Sequence, residues 1–169
     1  MRSIVLIGMP GCGKSTVGVA LARALGMTFI DSDLVIQRTE NATLAQLLDR
    51  YGDEGFRLIE ERVNASLEAE NSVIATGGSV VYGPRAMAHL REIGTVVYLK
   101  LSYPAIEARL GDLHARGVTI KPGQTLRDLY DERCPLYERY AHIAFPCDGL
   151  RLRDVIVRLT AMLTEAEKK

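Results

Sequence analysis

Residues 8 to 16 read GMPGCGKST, which fits the spacing G-x-x-x-x-G-K-[ST]. Glycines at those intervals let successive backbone N–H groups converge on phosphate oxygens. An apolar run, IVLIGM, leads into the loop and a helical pattern, STVGVALARAL, leaves it. The loop therefore opens a helix N-terminus, where the peptide dipole favours anions. Gly11, Cys12, Gly13, Lys14, Ser15 and Thr16 are placed to hold the phosphates of a nucleoside triphosphate. Lys14 supplies a point charge to the β- and γ-phosphates, and the Ser15 hydroxyl suits Mg²⁺. A helix N-terminus can also lower the pKa of a thiol, but filler in a variable loop position is the simpler account of Cys12.

A second chemical signal is FIDSDLV, residues 29 to 35, where two acids flank one serine at the end of an apolar run. Many P-loop proteins carry an aspartate at the end of another strand to support the metal. The later run SVIAT ends in Thr76 followed by Gly77 and Gly78, and TVVYLKL ends without an acid. Asp31 is then the remaining candidate to hold the metal's water shell. Asp33 can accept hydrogen bonds from the hydroxyls of an acceptor and take the proton of the attacking one. A helix N-cap is the plainer alternative for Asp33. In FRLIEER, Arg57, Glu60 and Glu61 share one helical face, which taken alone describes a solvated ion pair. Arg133, just before a Cys-Pro step, says little alone.

The elements that would position these groups alternate. Strands are expected at Ser3–Ile7, Thr28–Asp31, Ser72–Ala75, Thr95–Leu101 and Ile143–Phe145, with helical patterns between them. That alternation predicts an α/β fold, a parallel sheet with helices on both faces. The carboxyl ends of its strands would gather Asp31, Asp33, Thr76–Gly78 and the phosphate loop along one rim. Thr43 and Gln46 spell a capping box, Pro84 suits a first helical turn, and Ser102 precedes YPAIEARL. Phe56, Ile59, Val63 and Leu67 form one apolar stripe over Asp53–Leu67, and a last helix is expected over about Leu152–Thr164. Leu113–Thr125, LHARGVTIKPGQT, has no period and a length that suggests a mobile functional loop.

With 169 residues the chain fits one domain, and 21 basic against 21 acidic residues give no basic excess for a nucleic-acid or anionic-membrane partner. No apolar run is long enough to span a bilayer. Three cysteines far apart indicate neither a disulfide framework nor a zinc site, so a reducing cytoplasm is the default. His89, His114 and His142 form no ligand-like pair and are expected to be surface or satisfied histidines.

Taken together, GMPGCGKST, DSD, FRLIEE, TGGSVV, the Arg116 loop and RCPLYERYA resemble the shikimate kinases, P-loop enzymes of the nucleoside-monophosphate-kinase-like group. The pieces fall in that family's order and at nearly its spacing, over almost the whole chain. The resemblance implies a three-layer P-loop fold with a five-stranded parallel sheet and a mobile lid, in one domain of residues 1–169. Acceptor-binding helices would cover about 33–65 and the lid about 112–125. It implies ATP and Mg²⁺ as cofactors, shikimate as acceptor, phosphorylation at the 3-hydroxyl, and a monomer.

The same resemblance gives residue roles. Asp33 holds ring hydroxyls near the attacking one, and Asp31 supports the metal through water. Arg57 and Arg133 grip the acceptor carboxylate, Glu60 orients Arg57, and Gly77 and Gly78 bring N–H groups to the acceptor. Arg116 closes on the phosphates and Arg109 stacks on adenine. Planar guanidinium pairs suit a carboxylate on a small polyol. The chain departs from the family at Ser79, where a third glycine is usual and a positive φ would strain serine. It departs also at Leu48, where an aromatic residue is common, and in the lid, where Gly117 replaces a proline. A kinase for another hydroxy acid such as gluconate, and a non-catalytic nucleotide-binding module, remain alternatives.

Overall fold

The computed structural model describes residues 2–110 and 121–166. Every residue of β1 (Ser3–Ile7) and of β3 (Ser72–Ala75) is buried, as strands covered on both faces must be. They are flanked by β2 (Thr28–Asp31), β4 (Gly94–Lys100) and β5 (Ile143–Pro146), in the order β2-β3-β1-β4-β5, all parallel. The register sets Asp31 level with Ala75, and Ala75 level with Leu6. Asp31, the segment from Thr76 and the phosphate loop therefore leave the sheet at one rim.

The helices begin where local chemistry dictates. Gly13 precedes α1 (Lys14–Leu25) at φ 97, a left-handed conformation that costs glycine little. Asp31 caps α2 (Ser32–Glu40). The expected capping box of Thr43 and Gln46 forms at the start of α3 (Leu44–Ala65), which bends at Gly52. Pro84 opens α4 (Pro84–Ile93), and α5 (Tyr103–Leu110) follows Ser102. After α6 (Leu126–Tyr140) and β5, α7 (Leu152–Ala166) packs on α1, while α3 packs on α4. The result is the expected three-layer α/β architecture.

Two apolar clusters hold these layers. The large one surrounds the sheet, and a small one of Ile36, Ala42, Leu47, Phe56 and Val63 joins α2 to α3. The stripe expected on α3 is real, though Ile59 is only half-buried. Boundaries differ from expectation in four elements: β4 starts and ends one residue earlier, β5 extends to Pro146 and α7 to Ala166, and α3 ends at Ala65, two residues short of Leu67. His142 Nδ1 accepts from Val96 N at 2.9 Å and His89 Nε2 lies 2.8 Å from Leu67 O, so both are satisfied histidines. His114 lies outside the described residues.

Candidate active site

The sheet rim opens into a cleft of about 390 Å³. Its floor on one side is the phosphate loop. The Lys14 ammonium is buried and donates to the carbonyls of Gly8 at 2.8 Å and Met9 at 2.9 Å. Those bonds draw the side chain back over its own loop, so the charge stays beside the N–H groups that would hold a phosphate. Gly11, Gly13, Ser15 and Thr16 line the cleft with it. The Cys12 thiol does not: it is 3% exposed and belongs to the main core, where a Cβ on Gly8 would meet its sulfur at 2.9 Å. Only the backbone of Cys12 is left for a ligand. Arg109, at the end of α5, points Nη1 at the carbonyls of Cys12 (3.3 Å) and Gly11 (3.5 Å).

The two acids divide as their spacing suggests. Asp31 Oδ1 accepts from the backbone N–H of Asp33 at 3.0 Å and caps α2, so the cap is Asp31 and not Asp33. Asp31 Oδ2 accepts from Ser15 Oγ at 3.4 Å. A carboxylate and a hydroxyl beside a phosphate loop are hard oxygen donors that fit Mg²⁺ with part of its water shell kept. Asp33, relieved of capping, turns into the cleft. Burial, first, and the neighbouring Asp31 charge push its pKa above the ordinary 3.8, against a smaller opposing pull from Lys14.

Gly77, Gly78 and Ser79 form the opposite wall. A side chain on Gly77 would put its Cβ 2.7 Å from Glu60 Oε1 and 3.0 Å from Asp33 Oδ1. One on Gly78 would meet Pro10 at 2.9 Å and Arg133 Nη1 at 3.1 Å. These glycines are required by close approach. Tyr137, fully buried, donates to the Gly78 carbonyl at 2.6 Å and fixes the wall from behind. At Ser79 the expectation of strain is corrected: φ is −91, which any residue adopts. Its hydroxyl donates to Glu60 Oε2 at 2.5 Å.

Glu60 is also not the surface ion-pair partner that its helical face suggested. It is 2% exposed, Oε1 has no hydrogen-bond partner among the described residues, and no salt bridge to Arg57 forms. Burial raises its pKa to about 7, opposed by the Ser79 bond and aided by the Asp33 charge. Arg133, 3% exposed on α6, lines the cleft. Arg57 does not; its guanidinium lies 3.8 Å from the centroid of the Tyr82 ring. Leu48 lines the cleft beside Leu44 and Phe56 as an apolar side wall. Arg116 lies outside the described residues. Sequence reasoning missed Tyr82 and Tyr137, although Tyr137 stands inside the RCPLYERYA motif.

The model of the shikimate kinase family matches residues 10–164. A shikimate kinase of Paracidovorax citrulli is 46% identical over 168 residues, covering 96% of this chain and 92% of that protein. Shikimate kinase 2 of Yersinia pseudotuberculosis is 35% identical, covering 96% of each. The structure of shikimate kinase from Acinetobacter baumannii in complex with shikimate superposes with a TM-score of 0.88 at 32% identity, covering all of this chain and 96% of that one. The rim that carries a phosphate loop, a free aspartate and a buried arginine around one cleft thus sits in a chain that the family model matches over most of its length and that shares 46% identity with a shikimate kinase: the chain belongs to the shikimate kinase family.

Proposed function

We propose that the protein transfers the γ-phosphoryl group of ATP to the 3-hydroxyl of shikimate, giving shikimate 3-phosphate and ADP. The observation that carries this reading is Asp33: its capping duty falls to Asp31, and it shares one cleft with Lys14 and Arg133. An acid there can take the proton of the 3-hydroxyl while that oxygen bonds to the γ-phosphorus. The bond from the γ-phosphorus to the β–γ bridging oxygen breaks, and ADP carries the released electron pair. Lys14 and the loop N–H groups, fixed in place beforehand, offset the charge on the transferring group.

Bound Mg²⁺ would neutralise charge on the β- and γ-phosphates, with Ser15 and Asp31 as its protein partners. Arg57 and Arg133 hold the acceptor carboxylate, and the N–H groups of Gly77 and Gly78 meet the acceptor. Arg116, in a lid of about 112–125, closes on the phosphates, and Arg109 packs on adenine. The chain acts as one kinase domain, residues 1–169, with its acceptor helices at about 33–65, as a monomer in the cytoplasm. Among the described residues no helix is long and apolar enough to cross a membrane, and Cys12, Cys134 and Cys147 are all unpaired.

The test is ADP release with a panel of acceptors. Shikimate is expected to stimulate ADP release well above background ATP hydrolysis. Stimulation by gluconate in its place would change the acceptor, and no stimulation by any acceptor in a folded, ATP-binding protein would leave a nucleotide-binding module.

A further inference from the structure

Tyr82 closes the short 3-10 turn Val80–Tyr82, which begins directly after Ser79. Its ring is half-buried and has both acceptor arginines against it. The Arg57 guanidinium carbon stands 3.8 Å from the ring centroid and that of Arg133 5.3 Å away. Arg133 Nε also donates to the Tyr82 hydroxyl at 3.3 Å. The turn that carries the ring is held: Tyr82 N donates to Ser79 O at 3.0 Å, and Gly83 N to Val80 O at 3.1 Å. The Glu61 carboxylate ties the next turn to α3 by accepting from Arg85 N at 2.9 Å. None of the salt bridges among the described residues involves either guanidinium. The buried Glu60 carboxyl and, for Arg133, the Tyr137 hydroxyl are the other polar groups near these guanidinium groups; with no ion pair formed, the Tyr82 ring is the contact that both cations share.

We propose that Tyr82 is a positioning residue that orders Arg57 and Arg133 before the acceptor arrives, and so sets the affinity of the site for the acceptor carboxylate. This rests on the reading of the acceptor as shikimate. An arginine left free in solvent must be immobilised when it binds an anion, and that ordering subtracts from affinity. Stacking on a π face, where the quadrupole attracts a cation, lets the folded protein bear the ordering instead. The ring has no charge and takes only the Arg133 Nε–H, through its hydroxyl, so it does not compete for the terminal N–H donors of either guanidinium as a carboxylate would. Stacking together with one hydrogen bond corresponds to roughly 5- to 30-fold in affinity.

The experiment has two arms. In the acceptor-free protein, NMR of the arginine Nε–H groups should show Arg57 shifted upfield by the ring current, a shift retained in Tyr82→Phe and lost in Tyr82→Leu. In steady-state kinetics, Tyr82→Leu should raise KM for shikimate about 10-fold, within the range for stacking and one hydrogen bond. Tyr82→Phe, which lacks only the hydroxyl, should fall between it and the unaltered protein. The KM for ATP and kcat at saturating shikimate should change by less than about two-fold, as loss of ground-state ordering requires. An unshifted Arg57 resonance, an unchanged KM for shikimate, or a rise in both KM values together would overturn the proposal. Should Tyr82→Leu not fold, Tyr82→Phe and the NMR arm decide. If the unaltered protein shows no turnover of shikimate, the acceptor reading falls and the link to carboxylate affinity falls with it. The ring-current arm still reports separately whether Tyr82 orders the arginines.

Discussion

Burial moves the carboxyl groups of Glu60 and Asp33 in the same direction, and their places in the cleft turn that into opposite consequences. Glu60 rises from 4.5 to about 7, so its folded form holds a proton that the unfolded chain has lost. The stability this contributes is fully present below 4.5 and is lost as pH rises through about 7. The loss amounts to roughly 3 kcal/mol. Glu60→Gln, neutral at every pH, should remove most of it, which urea midpoints at pH 5 and 8 would report; an unchanged pH dependence would place the titration elsewhere. Asp33 must be ionised to accept a proton. Its raised pKa puts the acid limb of kcat/KM above the ordinary carboxylate value of 3.8, as a property of the interacting acids and not of Asp33 alone. Asp33→Asn should lower kcat by roughly 10²- to 10⁴-fold. Calorimetric titration with ADP should show nucleotide affinity unchanged. The loop glycines, Lys14 and Asp33 were legible because their spacing is the chemistry. The burial of Glu60 and the stacking on Tyr82 were not, since both depend on which side chains meet across α3 and the 3-10 turn.

At the scale of elements, α3 carries Arg57 and Glu60 on a helix that is not straight. Gly52 adopts φ 65 and ψ −176 inside it, a region that side chains other than hydrogen make costly. Both sides of the bend serve the same two surfaces: Leu47 before it and Phe56 and Val63 after it pack with Ile36 of α2, while Leu44 and Leu48 before it and Phe56 and Glu60 after it line the cleft. Gly52→Ala should therefore destabilise the fold by about 1–3 kcal/mol. Chemical denaturation would measure it, and an unchanged midpoint would mean that the helix runs straight through residue 52 without loss. Apolar runs gave away the strands, and the Thr43–Gln46 box one helix start. The helix α6 stayed hidden in the sequence because Pro135, which has no N–H to donate, lies inside it. Its own start signal, Thr125 with Asp128, uses an aspartate where glutamate or glutamine is usual. Arg133 therefore stood in the sequence as a lone cation before Cys-Pro, without the helix that buries it.

Across the whole molecule, the phosphate loop belongs to the sheet and its large core, and the wall proposed to hold the acceptor is shared by α3, the segment after β3, and α6. Occupancy of the two halves of the cleft should be separable. Arg133→Ala removes a buried cation from the acceptor half only, while Lys14 and its loop are untouched. The loss of charge-assisted hydrogen bonds to a carboxylate corresponds to roughly 10- to 100-fold weaker shikimate binding. Because a ligand stabilises the folded state by mass action, saturating the unaltered protein at about 100 times Kd should add about 2.7 kcal/mol. The shikimate-dependent rise in Tm should therefore shrink in Arg133→Ala, and the ADP-dependent rise should persist. The substitution also strips the Tyr82 hydroxyl of its partner and opens space beside Gly78, so the ligand-free Tm should fall as well. The ADP shift keeps the two effects apart: a destabilised but correctly folded variant retains it. Equal loss of both ligand shifts would mean that Arg133 supports the fold as a whole and that the acceptor half has been assigned to the wrong side chain.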